Sequence, residues 1–155
     1  MNGPLDLRGW QRRRLLGATA GIAGAMWLRS APAAQPDLAA AIAAFAAGAP
    51  VRAGRVVLDI APLVENGNVV PVKVEVQSPM SEADHVKAIA LFNERNPQRD
   101  VFVFHLSPRA GRATVAARIR LAGSQQLVAV AQMNDGSCWT HTVDVIVTLA
   151  ACVEP

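Results

Sequence analysis

The chain contains 155 residues, of which 15 are basic and 12 are acidic, and a chain of this length has room for one domain with a single core. Five of the basic residues precede residue 34, so the remaining 122 residues carry 10 basic and 11 acidic side chains and a formal charge of −1. This balance excludes the basic surface that a nucleic-acid-binding protein needs.

The first 33 residues have the pattern of an export signal. The basic run Arg12-Arg13-Arg14 precedes an apolar stretch over 17–28, and a small-x-small cleavage pattern follows at 31–33. The apolar stretch is shorter than the roughly 20 residues that span a membrane. Arg12 and Arg13, followed by two leucines, favour a twin-arginine signal, with an ordinary secretory signal as the alternative. We expect the mature chain to be periplasmic, with no membrane attachment after the signal is removed.

Residues 34–53 are predicted to form a short helix and a linker. Strong helix formers fill 37–47 after a possible N-cap at Asp37, and Gly48 and Pro50 end the pattern. Leu38, Ile42 and Phe45 recur at helical spacing. We therefore expect one N-terminal helix that docks by this apolar face.

From residue 54 to 149 the sequence is typical of short β-strands. Apolar and polar residues alternate, and turn residues separate the runs, with Asn66-Gly67 as a hairpin signal and a second turn at 134–136. Pro71 lies inside one run, which indicates an edge strand or a bulge. About seven strands in this length predict a mostly β, immunoglobulin-like sandwich. The runs are 56–63, 69–77, 85–92, 100–106, 112–121, 127–133 and 138–149.

The two cysteines differ in their surroundings. Cys138 begins the last β run beside Trp139, where it is best explained as a small structural residue, whereas Cys152 follows that run in a C-terminal arm at 150–155. A structural disulfide is the alternative for an exported domain. A straight run over these 14 residues would separate the two cysteines by about 45 Å, whereas a disulfide needs Cα atoms within roughly 7 Å. The spacing therefore favours an accessible thiol at Cys152.

A metal site is a competing interpretation, because a β-sandwich with Cys138, His141, His105 and Met133 invites comparison with blue-copper domains. No methionine follows His141 as an axial ligand, and both histidines fit exposed strand positions; His85 fits a solvated turn. The chain also contains no Gly-x-Ser-x-Gly, no Gly-rich phosphate loop and no Cys-x-x-Cys. We therefore expect no metal, no cofactor and no catalytic residues, and a protein substrate rather than an enzyme.

Five stretches of the chain together have a distinctive pattern: LVENGNVVPV at 63–72, SPM at 78–80, FNERNP at 92–97, RIRLA at 118–122 and VAVA at 128–131. These stretches resemble the SoxY family of sulfur carrier proteins in thiosulfate oxidation. The resemblance implies an immunoglobulin-like SoxY domain over 54–149, a heterodimer with a SoxZ-like subunit, and periplasmic sulfur-oxidation enzymes as further partners. It also implies that Cys152 holds a sulfur intermediate covalently.

The arm departs from the family's Gly-Gly-Cys-Gly-Gly pattern. Ala150 and Ala151 precede Cys152, and Val153 and Glu154 follow it, which is similar to a SoxY-related subgroup with Ala-Ala-Cys-Ile-Glu. Alanine and valine restrict the backbone more than glycine, and Glu154 should repel an anionic sulfur donor. A reactive thiol in an oxidising compartment also permits a disulfide-linked dimer, so an adaptor that joins two chains through Cys152 remains the alternative to a carrier.

Overall fold

A computed structural model describes residues 37–151, which form one α-helix, nine strands and a short 3-10 helix at Pro108–Ala110. The predicted export signal, including Arg12 and Arg13, lies outside the described residues. The prediction of a mostly β, immunoglobulin-like sandwich with one short N-terminal helix is confirmed. The elements are α1 Leu38–Phe45, β1 Val51–Ala53, β2 Val56–Asp59, β3 Leu63–Asn66, β4 Val70–Val76, β5 Val86–Asn93, β6 Asp100–His105, β7 Thr114–Ile119, β8 Gln125–Met133 and β9 Cys138–Leu149.

The strands form two sheets of unequal size. The large sheet has the order β1-β9-β8-β5-β6, with β3 also paired to β9, and the small sheet has the order β2-β4-β7. Both β1 and β3 run parallel to β9, β1 beside its first residues and β3 beside its last. The long strand β9 therefore links both ends of the sandwich, and the chain leaves it on the way to Cys152.

The predicted single run at 56–63 is wrong, because the chain changes sheets within it. Just before this run, Gly54 and Arg55 have φ angles of 123° and 53°. This bend takes the chain from β1 in the large sheet to β2 in the small one. After β2 the chain returns to the large sheet, where Ile146 N donates to Pro62 O at 2.9 Å. Residues 51–66 therefore supply three short strands to two sheets, and the first of these, β1, was not predicted.

The predicted hairpin at Asn66-Gly67 is also wrong. The strand before it, β3, pairs with β9, whereas the strand after it, β4, pairs with β2 and β7. Gly67 is not among the glycines with positive φ, which a type I′ hairpin turn would require. The second predicted turn is correct: Asn134-Asp135-Gly136 joins β8 to β9, Gly136 has a φ of 84°, and Asp135 Oδ1 accepts from Ser137 N at 2.8 Å.

The main core lies between the two sheets. In β4 the residues alternate strictly, with Val70, Val72, Val74 and Val76 buried and the positions between them turned outward. Each such side chain stabilises the fold by about 1.5–3 kcal/mol relative to full exposure. Pro71 lies beyond Lys73, the last β4 residue that pairs with β2, so β4 is locally an edge at the residue that lacks an N–H.

A second, smaller core lies under α1, on the outer face of the large sheet. Asp37 caps the helix as predicted, because its side chain accepts from Ala40 N at 2.6 Å. Leu38, Ile42 and Phe45 face the sheet, and the Phe45 ring meets the Phe92 ring edge to face at 5.8 Å. Within residues 37–151, no helix has the length and apolar character needed to cross a bilayer.

Candidate functional site

The predicted carrier arm is only partly described. Ala150 is exposed, whereas Ala151 is just 6% exposed. Cys152, Val153 and Glu154 lie outside the described residues. The described part of the candidate site is therefore the end of the sandwich from which the chain continues to Cys152.

Three backbone segments meet where the chain leaves β9. Gly67 N donates to Leu149 O at 2.7 Å, Leu121 N donates to Gly67 O at 2.9 Å, and Ala151 N donates to Leu121 O at 2.9 Å. We call these four residues the C-terminal junction. Leu121 is fully buried, so its carbonyl is screened from competing water. The junction ties the chain to the body of the domain as far as Ala151.

Gly67 is required at the junction because there is no space for a side chain. A Cβ placed on Gly67 would lie 2.5 Å from Leu121 O, 3.0 Å from Ala151 N and 3.2 Å from Leu149 O. All three neighbours are backbone atoms, which cannot move aside as a flexible side chain can. The glycine thus permits the close approach of three chain segments, and not a left-handed conformation.

The segment around Gly67 is held on both sides. Asn66 Oδ1 accepts from the backbone N of Asn68 at 3.0 Å and from Asn68 Nδ2 at 2.9 Å, a local turn of the kind that asparagine favours. On β9, the Thr148 hydroxyl donates to Glu65 O at 3.0 Å. These bonds fix Gly67 against the end of β9.

Asn96 holds the segment around Leu121. Its Nδ2 donates to Arg120 O at 2.8 Å, and its Oδ1 accepts from Ala122 N at 3.0 Å and from Gln125 Nε2 at 2.9 Å. One side chain therefore forms hydrogen bonds with the backbone on both sides of the junction residue Leu121.

Asn93 in turn holds the loop that carries Asn96. Asn93 is 1% exposed, its Oδ1 accepts from Asn96 N at 2.8 Å, and its Nδ2 donates to Gln98 O at 2.6 Å and Arg99 O at 3.0 Å. In the sequence, this stretch stands out only by its family resemblance. The signal that pointed to its role was a pair of asparagines three residues apart just after a strand, a place where amide side chains bind the backbone.

Cys138 lies far from this site. It is 1% exposed beneath α1, as expected of a structural residue, and it begins the continuous strand β9. The 12 residues of β9 span about 36 Å at roughly 3.3 Å per residue, so Cys138 and Ala151 lie at opposite ends of the sandwich. This separation opposes a disulfide between Cys138 and the residue that follows Ala151.

Burial raises the pKa of the Cys138 thiol above its ordinary value of 9.0, and the charge of Asp135 adds to the effect. The unfolded chain then loses the proton at a lower pH than the folded chain, so this thiol makes the folding free energy less favourable as the pH rises through that ordinary value and beyond it. We expect the urea concentration at the unfolding midpoint to be lower at about pH 10 than at about pH 8. This decrease should be smaller in Cys138→Ala. Equal falls in both proteins would contradict this.

The candidate copper ligands do not come together. Met133 lies in the core between the sheets and Cys138 in the core under α1, on opposite faces of the large sheet. His105 is on β6, three strand spacings or about 14 Å from β9. His141 Nδ1 accepts from Leu58 N at 2.9 Å. Among residues 37–151, no three His, Cys, Asp or Glu side chains are grouped as a metal site would need.

Comparison with known proteins identifies the family. The family model of the sulfur oxidation protein SoxY matches residues 42–152. The chain belongs to the SoxY family. The sulfur carrier protein SoxY from Chlorobium limicola f thiosulfatophilum has a similar structure, with a TM-score of 0.62 and 29% identity over 73% of this chain and 97% of that protein. A search of curated protein sequences found no match.

Superoxide reductases share the sandwich fold. The neelaredoxin from Ignicoccus hospitalis matches with a TM-score of 0.55 and 17% identity over 62% of this chain and 82% of its own. The superoxide reductase from Nanoarchaeum equitans matches with a TM-score of 0.53 and 12% identity over 62% of this chain and 100% of its own. At these identities, the similarity between this chain and the superoxide reductases concerns the fold alone.

Proposed function

We propose that this SoxY-family protein is a carrier that binds a sulfur intermediate covalently on Cys152 and presents it to partner enzymes. The observation that carries the proposal is the family match, which extends through Cys152. The C-terminal junction supports it, because it delivers the chain to Cys152 at one end of the sandwich. Cys138 does not suit this role, since it is buried and its raised pKa keeps the thiol protonated.

The chemistry needs only a thiol on the carrier. Coupling of the Cys152 thiol with a sulfur anion forms one S–S bond and releases one proton and two electrons, which the loading enzyme must accept. Alternatively, the thiolate attacks an existing S–S bond, and the leaving sulfur takes the electron pair. In both routes the partner enzymes supply the catalytic groups, so the carrier acts as a covalent substrate and requires no resident cofactor.

The proposal includes export and a partner subunit. Residues 1–33, with Arg12 and Arg13, would direct the chain to the periplasm, where the sulfur-oxidation enzymes that it serves would act. A SoxZ-like subunit would form a heterodimer with it. An apolar surface supports such a partner: Leu63 and Ile146 are paired across β3 and β9 and are 57% and 59% exposed.

The test is the intact mass of the mature protein, isolated without reductant from its own periplasm, with mapping of the C-terminal peptide. We expect a sulfur-containing adduct on Cys152 that a thiol reagent removes, and the added mass would identify the cargo. A Cys138–Cys152 disulfide in every molecule would contradict the proposal, and so would a protein that is only a Cys152-linked dimer.

A further inference from the structure

We propose that a groove on the outer face of the small sheet binds a small dianionic oxyanion of sulfur through Arg118 and Arg120. Such an ion would be held without a covalent bond, so this binding goes beyond the carrier role of Cys152 and does not depend on it. We call the site the arginine groove. Its lining includes Pro71, Lys73, Ala116 and Arg118, and Arg120 lies beside it.

The arginine groove forms where β2 leaves β4. The two strands pair only as far as Asp59 and Lys73, after which the chain turns towards the large sheet and Pro62 O accepts from Ile146 N. The groove spans β4 from the end of β2 to β7 and has a volume of about 520 Å³. It is therefore large enough for a tetrahedral ion and remains open to solvent.

Arg118 and Arg120 lie on the same side of the small sheet. Exposed and buried residues alternate over 118–121, with Ile119 and Leu121 buried in the core. Residues two apart in an extended chain are separated by about 7 Å. Two like charges at this spacing repel each other, and an anion bound between them would offset the repulsion.

The carboxylates near the groove are paired with Lys73 and not with the arginines. Lys73 Nζ lies 4.0 Å from Asp59 Oδ2 and 3.2 Å from Glu75 Oε1. Neither Arg118 nor Arg120 forms a salt bridge within residues 37–151. A guanidinium group binds oxyanions through two parallel N–H donors, so two such groups without a carboxylate partner suit a dianion.

The apolar part of the lining favours a sulfur oxyanion over phosphate. Both kinds of ion offer oxygen atoms to the arginines. Against Pro71 and Ala116, however, an oxygen atom loses water without gaining a hydrogen bond, whereas the terminal sulfur of thiosulfate is less polar and loses less. We therefore expect thiosulfate to bind more tightly than phosphate.

The arginine groove lies at the same end of the domain as the C-terminal junction. Arg120 directly precedes Leu121, whose carbonyl accepts from Ala151 N at 2.9 Å. A sulfur oxyanion in the groove would therefore be held beside the end of the sandwich where the described chain ends.

The experiment titrates the mature protein carrying Cys152→Ser with sodium thiosulfate and follows the arginine Cδ–Hδ resonances by NMR. Sodium chloride keeps the ionic strength constant, and the serine removes covalent loading from the measurement. We expect saturable shifts at Arg118 and Arg120, and a Kd at least tenfold higher in Arg118→Gln/Arg120→Gln. The matched control is Arg109→Gln/Arg112→Gln, which removes two exposed charges before the other end of β7 and should change the Kd less than twofold.

Three outcomes would overturn the proposal. The first is an equal loss of affinity in both double variants, because the ion would then respond only to net charge. The second is a set of shifts that never saturates. The third is a phosphate Kd as low as that of thiosulfate at about pH 8, where phosphate is also mainly a dianion. All four arginines are exposed, so both double variants should fold, which circular dichroism checks. Failure of the carrier role would be seen separately in the adduct mass.

Discussion

Replacing Cys152 by serine should abolish covalent loading completely. A serine hydroxyl cannot form the S–S bond that holds the sulfur group, so the variant isolated from the periplasm should show only the mass of the unmodified chain. The fold should be unchanged, because the junction reaches Ala151 through backbone bonds and none of them involves residue 152. Intact mass and thermal unfolding of the same preparation measure both effects.

The matched control is Cys138→Ala. Cys138 is buried under α1 at the far end of β9, so its loss should leave loading intact and lower stability by about 1 kcal/mol, as for a modest core change. An adduct on the Cys152→Ser chain, or a loss of loading in Cys138→Ala, would refute the assignment of Cys152 as the carrier residue.

The strands that were predicted well are long runs of apolar and β-branched residues that turn residues bound on both sides. β9 was predicted with its observed bounds, 138–149, and β4 and β5 within about one residue at each end. β4 alternates strictly between buried and exposed positions, whereas β5 is buried on both faces, but in each strand the run and its bounding turn residues are local signals. The helix α1 was predicted for the same reason, since its cap at Asp37 and its apolar stripe are both local.

The errors arose where the partner of a segment lies far away in the sequence. β1 has three residues, which is too short for a pattern, and β3 bonds to β9 more than 80 residues later. Asn66-Gly67 has the composition of a hairpin turn, yet the space that demands Gly67 is set by Leu121 and Ala151. A sequence pattern cannot distinguish a glycine that turns the chain from a glycine that lets three chain segments approach.

The candidate site was likewise predicted from the sequence only in part. Cys152 was proposed from the sequence because a reactive thiol is a property of one residue. The C-terminal junction was not, because its members come from three parts of the chain and bond through backbone atoms that any residue possesses. Ala151 consequently was interpreted as part of an arm, although its N–H is committed to Leu121.

Asn96→Ala should have the second largest effect, on stability. The asparagine bonds to Arg120 O, Ala122 N and Gln125 Nε2, and alanine leaves all three groups without this partner, the last two at partly buried hydrogen bonds. Unpaired polar groups cost about 1–3 kcal/mol each when buried, and part of this cost is recovered where water enters. We expect a loss of about 2–4 kcal/mol in the free energy of unfolding, measured by urea denaturation.

The same substitution should loosen the C-terminal junction, because Asn96 holds the backbone on both sides of Leu121. Amide hydrogen exchange at Ala151 and Leu121 should accelerate more than exchange in the centre of β5, which is buried in the large sheet. Gln98→Ala is the control from the same loop: its side chain is exposed, so stability should change by less than about 0.5 kcal/mol. If exchange instead rose equally in β5 and at Ala151, Asn96 would support the whole sandwich and not this end of it, and the junction would depend on Gly67 and its backbone bonds alone.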